Sequence, residues 1–244
     1  MATLLILGSK PNPILPPRKC FDALACANAS GRSAARHGLP TPLFTVMSAI
    51  LTSGKQAPNR LALEAVAGLC TQTLYFYPRP VRGQSSLHRT VNRLRSFRTS
   101  PTYFREKIRS LPFSFDRFEN PGLDRYHTML ADLFDHEPTL VARVRAKQPS
   151  SGMLALAIGV AWHDFERFVL SGFSFEITHD YADNPLIAER GSAISKHADT
   201  DVALLRHLSK KFQNIYTTEP AVNRHAGIPF LHDARAPTDC RRAG

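Results

Sequence analysis

The sequence predicts an α/β domain: a mostly parallel sheet with helices on both faces. Three observations carry that expectation. Short apolar runs that end at glycine or proline alternate with segments of helical periodicity at both ends of the chain. The 244 residues suit one full-sized domain. Hydrophobic residues make up 43% and charged residues 21%, which supports a packed core and excludes wholesale disorder.

The elements follow in order. Thr3–Gly8 is short, apolar and closed by glycine, so it reads as a buried first strand. Pro11, Pro13, Pro16 and Pro17 then exclude regular structure. Phe21–Ala27, Leu43–Met47 and Thr73–Tyr77 are the next strand candidates, the last one aromatic and stopped by Pro78. Gly31–His37 reads as a short helix before Gly38, and Asn59–Cys70 as a helix with an asparagine cap. From Arg79 to Arg109 the chain turns basic, with Glu106 the only acid. Leu87, Val91, Leu94 and Phe97 fall near helical spacing there, which predicts an amphipathic helix with a basic face. Gly122–Asp135 and Thr139–Lys147 read as helices, so residues 79–147 are expected to form a basic, mostly helical insertion. The α/β rhythm then returns: a helix over Met153–Trp162, a strand at Arg167–Ser171, a helix over His197–Phe212 and a strand at Asn214–Thr217. One domain is expected over residues 1–232, with 233–244 as a flexible tail.

Lysine and arginine total 31 against 20 acids, a formal charge of +11. Such an excess favours anionic partners: nucleotides, nucleic acid or phospholipid. No apolar run reaches the roughly 18–20 residues of a membrane span. Thr3–Gly8 lacks a basic segment before it and reads as a strand rather than a signal peptide. Cys20, Cys26, Cys70 and Cys240 show no CxxC spacing, which fits thiols in a reducing cytoplasm.

Several short motifs can carry chemistry. Pro149–Ser150–Ser151–Gly152 precedes a long apolar helix. A helix start offers unpaired N–H groups and partial positive charge, and small residues let an anion approach the backbone. The same serine is also an ordinary cap. Gly8–Ser9–Lys10 follows the first strand, at the sheet edge where nucleotides sit, yet it matches neither GxGxxG nor a Walker loop. Asn28, after the second strand, can donate to phosphate or ribose, or cap the next helix. His179 and Tyr181 share one loop, and His197 opens a helix. Histidine can act as general base and a phenol can donate to a leaving phosphate. Asp199–Thr200–Asp201 spells a DxD of the metal-holding kind, but it falls in a first helical turn, where the macrodipole favours acids.

Taken together, these motifs resemble those of sialyltransferases. Pro149–Ser150–Ser151–Gly152 with its apolar helix, followed by Phe168–Val169–Leu170–Ser171–Gly172–Phe173, resembles the small sialylmotif. His179–Asp180–Tyr181 is similar to the later His-aromatic-Tyr motif, and His197 through Asp201 to the very short motif. Leu5 through Pro11 and Ala25 through Ala29 resemble the large motif. The order and spacing are similar to bacterial glycosyltransferase family 42 and, more distantly, family 29. The chain departs from the pattern at Ser9 and Ser48, where the family has asparagine, and at Glu176, where it has tyrosine.

The resemblance implies a Rossmann-like, single-sheet variant of the GT-A type. It implies transfer of sialic acid or a related 2-keto sugar acid, such as Kdo, from a CMP-sugar to a glycan hydroxyl, with inversion. It assigns His197, Tyr181 and His179 to catalysis. Gly8, Ser9, Asn28, Ser48, Ser150, Ser151 and Gly152 go to the nucleotide, and Asp199 or Asp201 orients the base. No metal and no cofactor beyond the CMP-sugar donor are expected. The acceptor is a glycan or glycolipid, and the basic region is a candidate contact for the anionic inner face of the membrane. Nucleic acid is not expected as a partner of such an enzyme. The competing reading is a non-catalytic protein that binds nucleic acid or a membrane surface through the Arg79–Arg109 segment. Tyr75, Phe76, Tyr77, Phe97, Tyr103 and Phe104 would then serve as stacking residues.

Overall fold

The computed structural model describes residues 1–10, 12–53, 57–78, 96–176 and 194–233. Its strands are β1 (Thr3–Leu7), β2 (Ala23–Ala27), β3 (Phe44–Ser48), β4 (Cys70–Tyr77), β5 (Ser114–Glu119), β6 (Arg167–Ser171) and β7 (Ile215–Thr217). They form one seven-stranded sheet in the order β5-β4-β3-β2-β1-β6-β7, with every pairing parallel. The helices are α1 (Gly31–Arg36), α2 (Ile50–Ser53), α3 (Ala57–Ala65), α4 (Pro101–Arg109), α5 (Leu123–Leu133), α6 (Pro138–Ala146), α7 (Ser151–Trp162), α8 (Ala198–Lys211) and α9 (Pro220–Ala226).

The central strands are buried on both faces, which explains why they are apolar without alternation. All five residues of β1 are buried. Its side chains divide between two layers because successive residues of a strand point to opposite faces. Leu4 and Ile6 join a core with α5, α6, α7 and α8, whereas Leu5 and Leu7 join one that includes Phe21 and Ala34. On that second side, Phe76 of β4 packs with Phe104 and Ile108 of α4. Helix α7 is apolar around its whole circumference because protein surrounds it; Ser151 through Gly159 are buried. Gly159 lets it settle on the sheet: a Cβ there would stand 2.7 Å from Leu4 Cδ2.

The structure differs from the sequence reading in three places. Within the segment expected to be helical, Ser114–Glu119 is instead edge strand β5, paired with β4. Helix α3 runs over Ala57–Ala65, so Asn59 lies inside it rather than capping it, and Cys70, expected to close that helix, opens β4 instead. Helices α2, α4 and α9 were not expected as separate elements. The amphipathic helix expected over Leu87–Phe97 lies almost wholly outside the described residues, as does the tail beyond 233.

The arginine-rich surface has a structural use. The guanidinium of Arg105 lies 6.0 Å from the Phe118 ring centroid, and that of Arg109 lies 5.6 Å from Phe115. These side chains cover the aromatic edge strand. Phe76, Tyr77 and Phe104 are buried, so three of the six proposed stacking residues are core; Phe97 is 65% exposed. Among the described residues, no helix is long and apolar enough to cross a membrane.

Candidate active site

In a parallel sheet all strands end on the same edge, and ligands bind where neighbouring connections diverge. Here that point lies between β1, whose chain continues toward β2, and β6, whose chain continues toward β7. Gly8 and Gly172 close the two strands. Gly8 N donates to Ser171 O at 2.8 Å, and Lys10 N donates to Gly172 O at 2.9 Å. The approach requires glycine: a Cβ on Gly8 would stand 2.4 Å from Gly172 O. Gly172 has φ +72°, a conformation that favours glycine.

Three of the expected nucleotide residues meet where β2 and β3 end and α7 begins. Asn28 follows β2 with φ +51°, a left-handed conformation that asparagine tolerates better than most residues. Its Oδ1 accepts from Ser48 N at 3.1 Å and from Ser151 Oγ at 3.3 Å. One side chain thus ties the ends of β2 and β3 to the start of α7. Ser9 lies half-buried in the turn after β1.

Ser150 caps α7, its Oγ accepting from Met153 N at 3.2 Å. Gly152 faces the Phe173 ring, where a Cβ would stand 2.9 Å from Cε1. Ser150 N donates to Asp201 Oδ1 at 3.0 Å. Burial pushes the Asp201 carboxyl up to about 7, against the hydrogen bond from Ser150. The hydroxyl of Tyr77, at the end of β4, is buried with no hydrogen-bond partner among the described residues; burial raises its pKa, and the Asp201 charge adds to that shift.

His197 stands at the N-cap position of α8, half-buried. Its Nδ1 lies 2.7 Å from Gln148 O. A carbonyl oxygen only accepts, so Nδ1 carries the proton and the lone pair of the neutral ring is on Nε2. The two expected base-orienting acids have other partners. Asp201 holds Ser150 N, two residues from the carbonyl that contacts the ring. Asp199 is 78% exposed and lies 3.9 Å from Lys147 Nζ. One carboxylate is sealed and the other faces solvent, so this DxD does not converge on one cation. Among the described residues no three His, Cys, Asp or Glu side chains cluster as a metal site. Tyr181 and His179 lie outside the described residues.

Sequence reasoning missed Gln148 and Glu219, and gave Tyr77 only a stacking role in the competing reading. Glu219 precedes α9 and is sealed from solvent. It accepts from Ile14 N and Gly172 N, both at 2.9 Å, and pairs with Lys10. No sequence signal marks it, because Lys10 and Glu219 are far apart along the chain.

Asp201 yields a stability prediction. Its folded pKa is raised, so the folded chain holds that proton more tightly than the unfolded one. The contribution is complete below about pH 4 and is lost as pH rises through about 7. Asp201→Asn keeps an oxygen for Ser150 N and removes the titration. Relative to this variant, the parent should lose up to about 4 kcal/mol between those pH values, read from urea-unfolding midpoints. A gap that does not change with pH would refute the assignment.

No family model matches the chain, and no curated protein matches it. Solved structures do. The sialyltransferase CstII from Campylobacter jejuni, in complex with CMP-3FNeuAc, matches with a TM-score of 0.51 and 16% identity over 94% of this chain and 86% of that one. A variant of that enzyme in complex with CMP matches with a TM-score of 0.51 and 14% identity, covering 93% and 85% of the two chains. A second variant with CMP matches with a TM-score of 0.51, 13% identity and coverage of 93% and 86%. The fold is therefore sialyltransferase-like: a Rossmann-like α/β sheet of the GT-A type.

Proposed function

We propose that the protein transfers a 2-keto sugar acid, sialic acid or a relative such as Kdo, from a CMP-sugar to a hydroxyl of a glycan or glycolipid, with inversion. One juxtaposition carries the reading. At the edge of a sialyltransferase-like sheet, the strand ends carrying Asn28 and Ser48 meet the capped start of α7, and the preceding Gln148 holds His197 with Nε2 basic. In the proposed reaction, His197 Nε2 takes the proton of the acceptor hydroxyl. The freed oxygen attacks the anomeric carbon from the face opposite the leaving group, and the bond to the phosphate oxygen breaks. Charge grows on the departing phosphate, where Ser151 and the N–H groups opening α7 would hold it, with Tyr181, two residues after His179 in the sequence, as a further proposed donor. The sugar passes through an oxocarbenium-like state, as in glycoside hydrolysis. The divergent placement of Asp199 and Asp201 supports a mechanism that uses no metal. Binding of CMP-3FNeuAc by the structurally similar CstII supports the donor class.

The test is nucleotide-specific stabilisation. CMP at ~100 times its dissociation constant should add about 2.7 kcal/mol to the folded state. UMP, AMP and GMP at equal concentration and fixed salt should add much less. Equal responses to all four, or none at concentrations where millimolar binding registers, would overturn the reading.

A further inference from the structure

The Lys10–Glu219 pair sits where the proposed donor site needs charge, and nothing in that chemistry has yet used it. Burying a carboxylate is costly unless it is paired and hydrogen-bonded. Glu219 meets that requirement with two backbone N–H groups and the Lys10 ammonium, which join the β1 loop, the β6 turn and the β7 exit. The pair is asymmetric: the Glu219 side chain is 1% exposed and the Lys10 side chain 28%. It is a dipole with its negative end sealed and its positive end open at the ligand-binding edge of the sheet. An ammonium has three donors, and Glu219 can occupy only part of that capacity. The Phe173 ring links this loop to the start of α7. A Cβ on Gly8 would stand 3.0 Å from Phe173 Cδ2, and one on Gly152 2.9 Å from Cε1 of the same ring. The groups assigned above to the nucleotide, Ser9, Asn28, Ser48, Ser150, Ser151 and Gly152, carry no fixed positive charge.

We infer that Lys10 is a further donor-site residue: its ammonium, aimed by Glu219, binds the nucleotide phosphate from the β1 side. The inference rests on the proposed CMP-donor site and adds a residue to it.

The test separates charge pairing from ligand binding. Lys10→Met alone leaves Glu219 buried without its cation and should destabilise the fold. Lys10→Met combined with Glu219→Gln removes both charges and keeps an oxygen for Ile14 N and Gly172 N. Calorimetric titration of the full chain with CMP and with cytidine reads the phosphate contribution. The parent should bind CMP at least tenfold more tightly than cytidine, and the double variant should lose most of that preference while binding cytidine as before. An undiminished preference in the double variant overturns the role of Lys10. A parent that binds cytidine and CMP equally does the same while leaving a cytidine pocket in place. A parent that binds neither overturns the donor site itself, and this inference with it. A second measurement needs no variant: mass-spectrometric acetylation of the parent at low conversion. CMP should slow labelling at Lys10 but not at Lys210, and cytidine should slow neither. Equal labelling of Lys10 with and without saturating CMP also overturns the role.

Discussion

Replacing His197 with alanine is expected to lower glycosyl transfer by about 10²–10⁴-fold while leaving CMP binding in place. The expectation follows from tautomer and position together. Gln148 O, 2.7 Å from Nδ1, keeps the proton on that nitrogen and directs basicity to Nε2. The ring stands at the start of α8, and the carbonyl that orients it is three residues before the start of α7. In the proposed reaction, proton transfer and leaving-group stabilisation would therefore come from adjoining helix termini on one sheet edge. Alanine removes the proposed base but not Asn28, Ser48 or Ser151, so the effect should fall on kcat and leave KM for the donor nearly unchanged. Added imidazole should restore part of the rate. Transfer at the parental rate by the alanine variant, in a coupled assay for released CMP, would refute the assignment. Loss of CMP stabilisation in the same variant would instead place His197 in the binding site.

The legible parts of the fold were those governed by local rules. The Pro149–Ser150–Ser151–Gly152 run announced a helix start because a serine before an apolar run satisfies orphan N–H groups, and Ser150 does so. The central strands were legible because they are buried on both faces. Edge strand β5 was not. Its apolar residues, Phe115 and Phe118, are three apart, and charged residues between them mimic a helix; their rings pack together at 6.1 Å. Helix α4 carried a readable signal in Ser100–Pro101, a cap followed by proline in the first turn, which the arginine content of the region obscured. At the site, residue types could be read but partners could not. A backbone acceptor such as Gln148 O has no residue signature. Both first-turn acids of α8 looked alike in sequence, and only packing separates the sealed Asp201 from the exposed Asp199.

Gly8→Ala is expected to be the most damaging small substitution in the sheet. Its new methyl would meet Gly172 O at 2.4 Å and Gly172 C at 2.9 Å, both backbone atoms that cannot rotate away. Relief requires the ends of β1 and β6 to part. That movement strains the bonds from Gly8 N to Ser171 O and from Lys10 N to Gly172 O. Overpacking of this kind costs about 1–3 kcal/mol, and loss of a buried backbone hydrogen bond adds about 1–3 kcal/mol. Two comparisons separate crowding from backbone conformation. Gly152→Ala meets the Phe173 ring first, a side chain that can shift, and should cost less. Among the described residues Gly38→Ala meets nothing within 4 Å but has φ +62°, so its cost of about 1 kcal/mol reports the left-handed conformation. Urea-unfolding midpoints should therefore place Gly8→Ala well below both. Because the same parting displaces Ser9 and Lys10, that variant should also lose CMP stabilisation even at temperatures where it is folded. If Gly8→Ala unfolds with the midpoint of Gly38→Ala and still responds to CMP, the close approach of the two strand ends is not what shapes the site.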